Sequence, residues 1–200
     1  MLLFVRMRQF ASLLVLGLAM GACETVAEVE PKQEEQDTPA VVYTIKKGSH
    51  YSDKNGLKQV TTSSLKFEVT FDNSAVYTTV VANNQADINK LYGLSDCNSS
   101  HHVNSARFGW RWYNNRLELL AYTYLNKQWD YKLLGSVPIG EAVVCELRME
   151  DGKYVFVLNG NEVEMPRACQ GAGAGYQLYP YFGGDETAPR DITITIKELN

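Results

Sequence analysis

The chain has 200 residues, with 19 Lys or Arg against 23 Asp or Glu and a formal net charge of −4. There is no basic excess to hold a phosphate backbone, which argues against a nucleic-acid partner. The length suffices for one domain with a real hydrophobic core.

The N-terminus carries Arg6 and Arg8, then an apolar run, LLVLGLAMGAC, that ends at Cys23. Positive charge, a short apolar stretch and small residues before a cut make a secretory signal. A spanning helix needs about 20 apolar residues, and this run is shorter. With Gly21 and Ala22 set before a cysteine, residues 1–22 resemble a bacterial lipoprotein signal. The resemblance implies cleavage before Cys23, lipid on its sulfur, and a membrane-anchored life in the cell envelope, at the outer membrane. Residues 24–37, ETVAEVEPKQEEQD, set six acids against Lys32. They hold too little apolar surface for a core, so 23–40 reads as the lipidated cysteine and a flexible acidic tether. Residues 41–200 remain as the folded domain.

That domain reads as many short strands. SLKFEVTF alternates, with Leu65, Phe67, Val69 and Phe71 on one face. DITITIKEL does the same through Ile192, Ile194 and Ile196. KYVFVLNGNEVEM is a hairpin about Asn159–Gly160. Further strands are expected near 43–46, 57–60, 133–137 and 142–150. Only 83–94, NNQADINKLYGL, reads as a short helix. Many strands with frequent turns and no alternating helices predict an all-β antiparallel sandwich or barrel.

The segment ARFGWRWYNNRLELLAYTYLN fixes a register. Asn tolerates the left-handed conformation, so Asn114–Asn115 makes a two-residue turn. Trp112 then faces Leu117, Trp110 faces Leu119 and Phe108 faces Ala121, forming one apolar face. On the other face Arg111 meets Glu118, Gly109 meets Leu120 and Arg107 meets Tyr122. A slip of one residue would exchange the faces. Both tryptophans therefore belong to the core. The Arg111–Glu118 pair reads as a surface ion pair of little energetic weight, and Gly109 leaves a gap above the sheet.

Three cysteines remain beyond Cys23. In AVVCELRM, Cys145 shares a face with Val143, Leu147 and Met149 and reads as a small core residue. Cys97 and Cys169 both stand in loop sequence, so the expected disulfide is Cys97–Cys169. No two cysteines have zinc-ligand spacing.

The polar face of the hairpin offers Arg107, Tyr122 and Tyr124. A planar guanidinium suits a carboxylate or paired hydroxyls, and tyrosine offers both a ring face and a hydroxyl. The loop SDCNSSHHVNS leads into this strand and adds His101 and His102, with Asp96 beside them as a further polar group. Trp129 sits in a polar stretch, NKQWDYK, read as a loop, and is a stacking candidate. In YPYFGGDETAPRD, Asp185, Glu186 and Asp191 could serve calcium, yet they lack the ordered alternation of an EF-hand loop. No other cofactor is expected. GxSxG, a phosphate-binding glycine loop and HExxH are all absent, as is the closely spaced ExDxxE of jelly-roll glucanases.

The segments DCNSSHHVNSARFGWRWY and LYPYFGGDETAPRDITI resemble those of a group of uncharacterised secreted lipoproteins of Gram-negative bacteria. More distantly, RLELLAYTY, AVVCELRMEDGKYVFVLNGNEV and DITITIKEL resemble successive strands of the concanavalin A-like jelly roll. That superfamily includes lectins, glucanases and polysaccharide lyases, so the resemblance implies a sheet face that binds a glycan. The expected function is an envelope-anchored, glycan-binding lipoprotein without catalysis. Arg107, Tyr122 and Tyr124 would line the groove, and His101, His102 and Trp129 would reach in from loops. The rival is a polysaccharide lyase or glycoside hydrolase using the same Arg/His/Tyr face. A structural or partner-binding envelope module is the third class.

Overall fold

A computed structural model describes residues 38–199. The expected signal, Cys23 and the acidic stretch through residue 37 lie outside the described residues. Twelve strands account for most of the domain: β1 (Val41–Ile45), β2 (Gln59–Thr62), β3 (Ser64–Phe71), β4 (Asn89–Ser95), β5 (Ser105–Tyr113), β6 (Arg116–Leu125), β7 (Gln128–Val137), β8 (Ala142–Glu150), β9 (Lys153–Leu158), β10 (Asn161–Pro166), β11 (Gly173–Leu178) and β12 (Ile192–Leu199). They form two six-stranded antiparallel sheets, ordered β1-β12-β3-β8-β9-β10 and β2-β11-β4-β5-β6-β7.

The core lies between the sheets, built from the alternating positions of both. The first sheet contributes Phe67, Val69, Phe71, Cys145, Phe156, Ile194 and their neighbours; the second contributes Leu91, Phe108, Trp110, Leu119 and Ala121. The β5–β6 register is the expected one: Trp112 pairs with Leu117, Trp110 with Leu119 and Arg107 with Tyr122. Asn114 and Asn115 both take positive φ, at 51° and 58°. That backbone twist matches the flanking strands and holds the register. Trp110 is fully buried, while Trp112 is half-buried against the core.

The helix expected over 83–94 does not form. Ala82–Ala86 makes a 3-10 turn, and the chain then enters β4. The side chain of Gln85 competes with helical bonding, donating to Trp112 O at 2.7 Å and Tyr77 O at 3.3 Å. β4 satisfies its backbone on both sides, against β5 and β11. Sheet pairing thus overrides a local helical pattern. β7 also begins earlier than expected, because Asn126 and Lys127 take positive φ and close a second tight hairpin. Trp129 is therefore a strand residue and not a loop residue.

Two side-chain clusters differ from their expected exposure. Ile88 covers the space over Gly109, where a Cβ would meet Ile88 Cγ2 at 2.6 Å, so the expected gap is filled. Arg111 Nε donates to Glu118 at 2.8 Å, and Arg116 Nε does so at 2.9 Å. Glu118 is only 2% exposed. The pair is buried because the turn at 82–86 folds over it, with Arg111 also donating to Ala86 O.

The Cys97–Cys169 disulfide is present, and Cys145 is a free thiol in the core. Beside the disulfide lies a fully buried ion pair between Asp96 and Arg167. Asp96 accepts from Arg167 Nε at 2.7 Å, Tyr154 Oη at 2.8 Å, and the amides of Cys97 and Ala174 at 2.7 and 2.9 Å. Burial alone would raise its pKa. Arg167 and the three other donors outweigh that and hold the carboxyl below the usual range.

Candidate functional site

The outer face of the second sheet carries a cleft of about 520 Å³. β4, β5 and β6 supply its floor through Lys90, Arg107, Tyr122 and Tyr124. β11 adds Tyr176 and Leu178. Walls come from the 97–104 loop with His101 and His102, from Tyr51 and Leu57, and from Tyr181. These positions face outward because their strand neighbours, Phe108 and Ala121 among them, are claimed by the core. Gly93 permits the close approach of β4 to β5 here: a Cβ would stand 2.4 Å from the Cα of Arg107.

Two cations occupy the floor. Arg107 is 7% exposed, and its Nε is buried without a hydrogen-bond partner. Its guanidinium lies 5.7 Å from the centre of the Tyr122 ring. Lys90 Nζ lies 4.6 Å over the same ring and donates to Ile88 O at 2.5 Å. Among the described residues, neither cation forms a salt bridge. Burial, and then the charge of Arg107, pull Lys90 down to about 8, with Asp87 acting weakly in the other direction. Burial likewise disfavours the charge of Arg107.

His101 stands at the wall. Its Nδ1 is 2.8 Å from Tyr176 Oη, which also accepts from the His101 backbone N–H at 3.0 Å. Burial, then Arg107 and His102, push His101 down to about 4, so its imidazole is neutral at pH 7. Burial pushes the Tyr122 hydroxyl well above its ordinary value.

Five of the six residues expected from sequence thus line one cleft: Arg107, Tyr122, Tyr124, His101 and His102. Trp129 stands outside it on β7, its ring parallel to that of Tyr122 at 6.2 Å. Asp96, also considered as a polar site residue, is committed to Arg167 inside the fold. Sequence reasoning missed Lys90, Tyr176 and Tyr181. Lys90 fell in the segment read as helix. The two tyrosines reach the cleft through pairing between distant segments, β11 with β4 and Tyr181 with Lys90.

The acids considered for calcium do not converge. Glu186 accepts from the amides of Val80 and Val81, and Asp191 pairs with Lys46. Among the described residues, one cluster brings three ligand atoms together, Asp96 with Cys97 and Cys169. Its two sulfurs are joined in the disulfide.

No protein-family model matches the chain, and no curated protein matches it by sequence. Solved structures do resemble it in fold. An alginate lyase, AlyC3, superposes with a TM-score of 0.55 at 11% identity, covering 80% of this chain and 74% of the lyase. The catalytic domain of an endo-1,3-β-glucanase (laminarinase) from Thermotoga petrophila RKU-1 gives 0.50 at 7% identity, covering 80% and 77%. The fold is a concanavalin A-like jelly roll. At these identities the likeness is one of architecture, and function rests on the cleft itself.

Proposed function

We propose that the protein binds an anionic polysaccharide, with a uronate carboxylate seated on Arg107 and Lys90, as a lipoprotein held in the cell envelope through Cys23. One observation carries the reading: buried Arg107 and half-buried Lys90 share a cleft floor with no carboxylate in salt-bridge contact among the described residues. A buried charge without a partner is costly, and an incoming anion would offset that cost. The surrounding tyrosines supply ring faces and hydroxyls suited to sugars. The domain is nearly neutral, so recognition would depend on these local groups and not on its overall field.

Isothermal titration with polymannuronate, and with neutral laminarin as control, tests this. Binding of the polyuronate alone is expected, with Arg107→Met weakening it by about 1.5–3 kcal/mol, the range for hydrogen bonds to charged groups. Equal binding of both glycans, or no effect of Arg107→Met, would refute it. The anchor is tested separately. Cys23→Ser should release the protein from membranes, since lipid chains supply the attachment. Continued pelleting with outer membrane through a salt wash would overturn that part.

A second reading, eliminative cleavage of the same polymer, is favoured by the neutral His101 beside Tyr176. A neutral imidazole can accept a proton. The two cations would lower the cost of charge developing on the uronate carboxylate as the proton next to it departs. Unsaturated ends, followed by ultraviolet absorbance, would distinguish cleavage from binding.

A further inference from the structure

The first six residues of strand β7 are exposed on both faces. Trp129, Tyr131 and Leu133 pair across to Tyr124, Tyr122 and Leu120, and so stand on the open face of the sheet. They are 57%, 40% and 48% exposed. The alternate residues, Asp130 and Lys132, lie on the side toward the other sheet, where Lys132 Nζ donates to Glu164 O at 2.8 Å. Folding favours apolar side chains facing inward and polar ones outward. Along residues 128–133 both faces of the strand are exposed and the apolar side chains gather on the open one, which marks a surface kept for contact.

The row is also ordered. The Trp129 ring lies within 6° of parallel to Tyr122 and within 11° of Tyr131, with centroids 6.2 and 6.0 Å apart. Tyr122 belongs to both this row and the cleft. β7 is the outermost strand of its sheet, and among the described residues no further strand flanks the row on that side.

We propose that Trp129, Tyr131 and Leu133 form a second sugar subsite. It stacks the pyranose rings of a chain whose charged residue lies in the cleft. The inference rests on the glycan reading of that cleft. Pyranose rings suit the row because they present C–H faces to aromatic rings while their hydroxyls stay wet, and the Tyr131 hydroxyl can join them. The row is narrow and runs along the edge strand, and it meets the cleft at Tyr122, so a linear polymer leaving the cleft can pass onto it.

The test compares a mannuronate disaccharide with an octasaccharide, on the wild type and on Trp129→Ala/Tyr131→Ala. The double variant should bind the octasaccharide about tenfold more weakly, as two lost ring contacts imply, and the disaccharide equally well. Trp129→Phe/Tyr131→Phe should restore most of the loss. An equal loss on both oligomers, or none on the octasaccharide, overturns the subsite. If the wild type binds neither oligomer, the cleft reading fails by itself. The platform is then tested by tryptophan fluorescence with laminari-oligosaccharides. A change abolished by Trp129→Ala upholds it, and no change overturns it. Sedimentation of a dimer that the double variant abolishes would also overturn it, because the row would then seat a second copy of this chain.

Discussion

Replacing Lys90 by methionine should make the domain more stable at neutral pH. Burial and the neighbouring Arg107 bring the ammonium from 10.5 to about 8. At about 1.36 kcal/mol per pH unit, holding the charge in the fold costs roughly 3 kcal/mol at pH 7. Methionine has a similar shape and gives up the charged hydrogen bond to Ile88 O, worth about 1.5 kcal/mol at the low end of the range for such bonds. The net expectation is a gain of about 1.5 kcal/mol, measured by urea unfolding. The unfolded chain keeps this proton up to 10.5, while the folded one releases it near 8. Wild-type stability from this group therefore rises as pH climbs between those values, and the advantage of the variant should shrink over the same window. Binding of polyuronate by the wild type should weaken as pH passes 8, because the cation is lost. A variant that is less stable at pH 7, or one with the same pH dependence as the wild type, would show that the Lys90 charge is not penalised.

Three further outcomes are expected. Asp96→Asn should cost about 3–5 kcal/mol in urea unfolding, the penalty for leaving a buried charge such as Arg167 unpaired; a change under about 1 kcal/mol would mean that water reaches the pair. Trp110→Ala should cost about 3–5 kcal/mol through the void left among Phe71, Tyr77 and Phe182, and an unchanged melt would contradict its burial. Cys97→Ser/Cys169→Ser should lose about 4 kcal/mol, from the chain entropy of a loop spanning 72 residues. Non-reducing peptide mapping should find Cys145 unlinked.

Legibility in the sequence followed the range of the interactions. The 105–125 hairpin was readable because two asparagines close its turn and period-2 alternation permits only one register. That register alone brings Arg107, Tyr122 and Tyr124 to one face. The disulfide was readable because strand phase placed Cys145 in the core. β4 was not, since its pattern looks helical until partners on both sides claim its backbone, and Lys90 was lost with it. Lys127 hid the second turn, because a lysine rarely adopts positive φ. Tyr176 and Tyr181 carry no local sign of where they go. The Asp96–Arg167 pair joins positions 71 residues apart and leaves no periodic trace.

Asp96 follows a strand of the second sheet, yet its carboxylate takes donors from both layers: Tyr154 and Arg167 from the first, the Ala174 amide from the second. Hydrophobic contact has no direction, and the two apolar layers hold their relative position through packing alone. A single acid gripped from both sides adds directed bonds to that packing. The loop bearing His101 and His102 begins at the next residue. The wall of the cleft is therefore tied to the opposite layer through one carboxylate.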